Sequence, residues 1–137
     1  MAKESGIGMT ASIDDGAGDP QTITDDITNL TIGVPRGIQE VTGIGSSGIE
    51  RLLLLADLSL GLNGVFNPAA NKSHAVFKTV PSQGPAMTRA VSIVISSQTL
   101  TAETLAGDYA LTRAADGAFT WAVTMVNADG NIPAWSA

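Results

Sequence analysis

The chain has no cysteine. That excludes disulfide frameworks, thiolate metal sites and thiol nucleophiles together. It has a single histidine, His74, which excludes any site built from several imidazoles, such as a multi-histidine zinc centre. Positive charge is scarce: seven Lys and Arg stand against thirteen Asp and Glu, a formal charge of −6. Ordinary nucleic-acid recognition needs Lys and Arg to neutralise phosphates, so this balance argues against it. Long apolar runs are missing too. The most apolar stretch, Leu52 to Ala56, is far short of the roughly 18–20 residues a spanning helix requires. Met1 to Gly6 carry no apolar stretch after their charges, so no secretory signal is expected and the cytosol is the default compartment.

What remains is a chain of 137 residues, 44% hydrophobic and only 15% charged. That is enough for one domain, residues 1–137, burying about two-thirds of its unfolded surface in a single core. Residue usage is that of a β protein, with many Thr, Ser, Val and Ile punctuated by Gly-containing turns. Residues 7–13 read as a first strand, and Asp14 to Pro20 as a turn. Leu30, Ile32 and Val34 alternate with Asn29, Thr31 and Gly33 at the period of a half-buried strand, which Pro35 stops. Arg36 to Gly48 is rich in Gly, Ser and Thr and reads as a long inter-strand loop, with a weak strand-like piece at Ile38–Val41.

Residues 49–56 fit a helical turn or the start of a buried strand, and periodicity does not separate the two. Leu58, Leu60 and Leu62, with Val65, then face one way, with Ser59, Gly61 and Asn63 opposite. Asn67-Pro68 suits a helix start, because Asn caps free N–H groups and Pro fits the first helical position. The helix is expected over 67–79, broken by Val80 to Pro85. Val91, Ile93 and Ile95 alternate in one late strand, and Phe119, Trp121, Val123 and Met125 in another. Asp116-Gly117 marks a hairpin between Tyr109–Arg113 and that last strand. The expected fold is mainly β, an antiparallel sandwich or barrel-like domain of about six to eight strands with one short α-helix.

Candidate chemistry is thin. Gly43-Ile-Gly45-Ser-Ser-Gly48 has the G-x-G-x-x-G spacing, but no carboxylate lies about 20 residues on and the downstream chain forms hairpins, so a loop is expected. His74 lacks an evident orienting carboxylate or nucleophile and reads as a packing or surface residue. Asp14-Asp15 and Asp25-Asp26 lack the alternating oxygens and terminal Glu of a calcium loop, which favours turn and cap roles. Trp121 reads as core; Trp135 reads as a contact with a neighbouring subunit. Neither a catalytic residue nor a cofactor is expected.

The order of these features resembles phage tail tube proteins, the major tail proteins of long-tailed actinobacterial phages. Asp26-Ile27-Thr28 precedes an alternating strand ending in Pro35-Arg36, and a Thr/Gly loop follows. Asp57-Leu-Ser-Leu-Gly-Leu-Asn-Gly-Val-Phe66 is similar to the family's "D-x-S-x-x-x-x-G-x-F" strand, with a helix carrying His74 and Val76-Phe77 after it. Asp116-Gly117 before Trp121, then Ala128-Asp129-Gly130 and Pro133-x-Trp135, completes the likeness, which covers about residues 5–136. The Leu52–Leu55 run departs from the Gly-containing segment many such proteins carry there.

The resemblance implies a structural virion protein rather than an enzyme. Such subunits form hexameric rings stacked into a hollow tube for genome delivery, assembled in the host cytoplasm. Their partners are copies of themselves and tape-measure, tail-tip and tail-terminator proteins; DNA passes without specific binding and no membrane is involved. Ring closure pairs strand edges that would otherwise invite aggregation. The inter-ring loop would be 36–48, with Arg36, Gln39, Glu40, Thr42, Gly43, Gly45 and Gly48 as contact candidates. Lumen-facing candidates are Asn29, Thr31, Ser59, Asn63, Thr120 and Thr124; Asp25, Asp26 and Asp57 would rim the bore. The alternatives are a capsid decoration or tail-terminator protein and, from a different class, a small-ligand-binding β-barrel enzyme.

Overall fold

Alternation at period two builds almost the whole fold. The computed structural model describes residues 5, 7–82 and 88–136. Its strands are β1 (Thr10–Asp14), β2 (Pro20–Thr22), β3 (Ile27–Gly33), β4 (Arg36–Glu40), β5 (Arg51–Ala56), β6 (Ser59–Val65), β7 (Arg89–Ile95), β8 (Gln98–Arg113), β9 (Phe119–Asn127) and β10 (Ala134–Ser136). Among the described residues there is one α-helix, α1 (Ser73–Phe77). One antiparallel sheet runs in the order β2-β1-β7-β8-β9-β6-β3, with β10 added beside β8. β4 and β5 form a separate two-stranded ribbon.

The long β8 organises this sheet. Its first half, Gln98–Thr104, pairs with β7, and its second half, from Thr104 to Arg113, pairs with β9. The register shifts between Ala106 and Asp108, where Gly107 has no cross-strand partner. The sheet curls so that one face encloses a single cluster: Ala11 and Ile13 from β1, Leu60 and Leu62 from β6, Val91 and Ile93 from β7, and Trp121, Val123 and Met125 from β9. Val76 and Phe77 of α1 plug it. Each buried leucine of the 58/60/62 stripe contributes about 1.5–3 kcal/mol of transfer free energy. Trp121, 1% exposed, donates its indole N–H to the Val65 carbonyl at 2.9 Å.

Several expectations shift. The first strand is Thr10–Asp14 rather than 7–13. The turn after it is built by Asp15, whose Oδ1 accepts the Ala17 and Asp19 N–H groups. Val65 belongs to the opposite face from Leu58, Leu60 and Leu62: parity puts buried Gly64 on the core side and leaves Val65 exposed. The helix occupies only Ser73–Phe77 of the expected 67–79. Asn67 Oδ1 accepts the Ala69 N–H, closing a local turn instead of capping a helix. Val80–Ser82 is a 3-10 turn, and the rest of the expected break, 83–85, lies outside the described residues.

The segment read as a loop is the larger correction. Arg36–Glu40 is a strand paired with Arg51–Ala56, and only 41–50 at the tip is irregular. Asp57 N–H donates to the Pro35 carbonyl at 2.9 Å, joining this ribbon to the β3–β6 pair. Residues 49–56 therefore contain neither a helical turn nor a buried strand. They enter an exposed arm.

Candidate functional site

The face of β3, β6, β9 and the second half of β8 that points away from the core is assembled by register. Asn29, Asn63 and Ala122 form one cross-strand row, Thr31, Gly61 and Thr124 the next, and Gly33, Ser59 and Val126 a third. Directly opposed residues share a face, and Thr120 lies opposite Val65. All six residues Asn29, Thr31, Ser59, Asn63, Thr120 and Thr124 therefore occupy one face, and all are exposed. Sequence reasoning missed the contribution of β8, which extends the rows with Leu105, Asp108, Ala110 and Thr112. Asp108 is the only ionisable side chain in these rows, and no Lys or Arg occurs in them.

Both lateral edges of this four-stranded face are free among the described residues. β3 pairs only with β6, and β8 beyond Thr104 pairs only with β9. Each pairing across the face is antiparallel, so β3 runs opposite to β8. Free strand edges of this length are templates for further pairing.

The arm leaves the face at the Gly33/Ser59 end. All of β4 is exposed, as is β5 up to Leu55, which is 90% exposed. Ile38 opposes Leu53 on one side of the ribbon, and Leu52 and Leu54 occupy the other, so both sides are apolar. Glu40 opposes Arg51, and Arg36 Nε donates to the Leu54 carbonyl at 2.7 Å. At the tip, Ser46 donates to Glu50 Oε1 at 2.8 Å, and Glu50 N–H donates to Thr42 Oγ1. Gly43, Gly45 and Gly48 lie there in open surroundings, and a strand rather than a helix follows them. Sequence reasoning reached the polar tip but not the apolar shaft.

The three rim aspartates separate. Asp25 and Asp57 are exposed. Asp26 is not: it is 4% exposed, its Oδ1 accepts from Asn67 Nδ2 at 3.0 Å and its Oδ2 accepts the Ser73 N–H at 2.9 Å. It anchors the start of α1 and cannot present charge at a rim. The reason is physical: a carboxylate this deep needs donors, and a helix N-terminus supplies one.

The other half of the sheet carries a cleft of about 410 Å³ on its outer face, lined by Asp14, Ser92, Glu103, Asn127 and Asp129 among others. Burial pushes the Asp14 carboxyl above its ordinary range, against the lowering effect of the Ala90 N–H. The Asn131 backbone N–H, then its side chain, hold the Asp129 carboxyl below that range. Among the described residues no group of three or more His, Asp or Glu is placed to hold a metal. His74 Nδ1 and Tyr109 Oη share a hydrogen bond at 3.1 Å, and the His74 ring packs against Phe66. Burial pushes the Tyr109 phenol up. Trp135, 47% exposed, sits on β10 opposite Leu100.

No protein-family model matches the chain, and no curated protein does. No helix among the described residues is long and apolar enough to cross a membrane. Solved structures do match. A chain in the tail of an empty gene transfer agent particle, refined with C6 symmetry, aligns with TM-score 0.78 over 98% of this chain and 100% of its own, at 16% identity. A chain of the native gene transfer agent virion gives the same figures. A chain of an anti-feeding prophage baseplate aligns with TM-score 0.68 over 100% and 98%, at 12% identity. The chain thus has a fold shared, over nearly its full length, with chains of assembled tail particles.

Proposed function

We propose that this chain is the repeating structural subunit of a phage-type tail tube, forming stacked hexameric rings around a conduit for DNA. The observation that carries the reading is the four-stranded outer face with two free antiparallel edges. Because four is even, β3 of one copy can pair antiparallel with β8 of the next, and the alternation continues around a ring. Six copies per ring is the number we infer, by analogy with the C6 symmetry of the gene transfer agent tail. Six faces make a barrel of about twenty-four strands; at about 4.8 Å spacing and a tilt near 40° its bore is roughly 35–40 Å between side chains. That admits duplex DNA.

The chemistry of the face fits passage without capture. Asn29, Thr31, Ser59, Asn63, Thr120 and Thr124 would line the bore, with Asp25 and Asp57 at its rims. No cation in these rows offers a phosphate a partner. Six copies carry a formal charge of about −36, which repels phosphates at moderate ionic strength. The arm reaches from one ring to the next, and Trp135 contacts a neighbouring subunit. Tape-measure, tail-tip and tail-terminator proteins are the expected partners, and the location is the virion tail. Negative-stain microscopy of the concentrated full chain, alone and with tail-tip and tape-measure proteins, tests the reading. Six-fold rings or tubes are expected. A persistent monomer in both preparations, a trimer or a single capping ring overturns it, the last two in favour of a decoration or terminator protein.

A further inference from the structure

An uncovered ribbon with two apolar sides is marginal in water. Ile38, Leu52, Leu53, Leu54 and Leu55 are all more than two-fifths exposed, so the arm's stable setting lies against another surface. Where that surface lies follows from polarity. In a stack of like-oriented rings, the arm end of one subunit meets the opposite end of the subunits in the next ring. The contact is heterologous and so continues indefinitely.

At that opposite end, Phe119 begins β9 and Leu111 lies near the end of β8. Leu111 opposes Trp121 and Phe119 opposes Arg113, so both share the core-side face of the sheet. Both are exposed, and Phe119 stacks on half-buried Phe66 with ring centroids 4.9 Å apart. Together they form an apolar ledge. Arg113, also exposed, lies at its border, its guanidinium beside Gly117. The nearby Asp116 carboxylate turns back to accept the Ala118 N–H at 3.0 Å. The arm brings the complement: leucines along its shaft and the Glu50 carboxylate near its tip, while Arg51 faces Glu40 on the ribbon itself.

We propose that the arm of one copy docks on the Phe66–Leu111–Phe119 ledge of a second copy in the adjacent ring, with Glu50 facing Arg113. The proposal rests on the tube reading and names the surface that receives the arm. The ledge borders the free edge of β8, where the next subunit of the same ring would pair. An arm seated there is covered by the ledge on one side and by that neighbour on the other, which accounts for its two apolar sides.

The absence of native cysteine makes the test clean. The full chain carrying Leu53→Cys and Phe119→Cys together is assembled and treated with a short bismaleimide. A second version places the second thiol at Leu111. Both positions of each pair are exposed, so folding is retained. A heterologous contact predicts a ladder of covalent species well beyond dimer from each double variant, whereas single variants stop at dimer. A control pair, Leu53→Cys with Ser92→Cys, should not exceed the single variants. Arg113→Glu should reduce tube length at least several-fold while rings persist, and Glu50→Arg added to it should restore growth. Tubes with no ladder from either double variant, or an equal ladder from the control pair, overturn the ledge and leave the tube reading standing. No rings or tubes from the unaltered chain overturn both.

Discussion

Asp26 and Ser73 lie 47 residues apart in the chain and are joined at 2.9 Å, carboxylate to helix N–H, in the interior of the subunit. The other oxygen of Asp26 holds the Asn67 amide. One side chain thus ties the start of β3, the turn after β6 and the helix that plugs the core. Asp26→Ala strands the buried Ser73 N–H and the half-buried Asn67 amide, the first costing about 1–3 kcal/mol and the second less. A loss of roughly 2–4 kcal/mol is expected, lowering Tm by about 6–15 °C for a domain of this size. Asp26→Asn keeps one acceptor and should cost about half as much. Thermal or urea unfolding checks both, and an unchanged midpoint for Asp26→Ala would contradict the assignment.

Gly64 is required by a close approach. A Cβ there would collide with the Asp26 backbone carbonyl and lie 2.8 Å from the Trp121 ring, neither of which can yield without moving β3 or the core. Gly64→Ala should cost about 3 kcal/mol or more. Gly107, in the β8 irregularity, meets nothing within 4 Å, so Gly107→Ala should stay within about 0.5 kcal/mol. Equal effects in a urea titration would mean the two backbones are not as drawn.

The legible parts of the fold are those whose partners lie within the chain. The 58/60/62, 91/93/95 and 121/123/125 stripes are written as alternation, and all but half-buried Ile95 are fully buried. The Asp116-Gly117 hairpin carries its own signal, with Gly117 at φ 94°. The β7–β8 turn does not. Ser96 and Ser97 both adopt positive φ, where Asn-Gly would ordinarily announce the turn, so the first half of β8 went unread. The arm was illegible for a different reason. An apolar run such as Leu52–Leu55 signals burial, and no local pattern says that it stands exposed on a ribbon. The lumen candidates were legible as one face because opposite parity fixes it, whereas Asp26 was misplaced because adjacent aspartates look alike in sequence and only one is enclosed.

Asp14 gives the subunit a defined pH response. Its carboxyl is raised chiefly by burial, so the native state penalises the ionised form. Above its native pKa the penalty is present in full; below the unfolded value of about 3.9 both states are neutral and it is gone. Asp14→Asn keeps an acceptor for the Ala90 N–H, which the native carboxylate receives at 3.2 Å. The variant should therefore be as stable as the parent or more so near neutral pH, and its advantage should shrink as pH falls through the native pKa toward 4. Urea midpoints measured from pH 7 to pH 3.5 test this. An advantage that grows on acidification would reverse the sign.

Charge placed on the four-stranded outer face tests whether that face meets DNA. Ser59 and Thr124 lie in adjacent rows on neighbouring strands, both exposed and neither in the core. Ser59→Lys with Thr124→Lys adds two cations per subunit, about twelve per ring of six, to a surface that has none. Exposed substitutions of this kind change stability by about 0.5 kcal/mol or less, so rings and tubes should form as before. If the face lines the bore, each new phosphate contact slows passage, and the slowing weakens steeply between about 50 and 200 mM salt because counterion release drives it. Genome ejection from particles carrying the double variant should be slow at low salt and approach the parent rate at high salt. Normal tubes with unchanged ejection at every salt would place this face outside the bore, while Ser92→Lys on the opposite half of the sheet provides the comparison that should leave the rate alone.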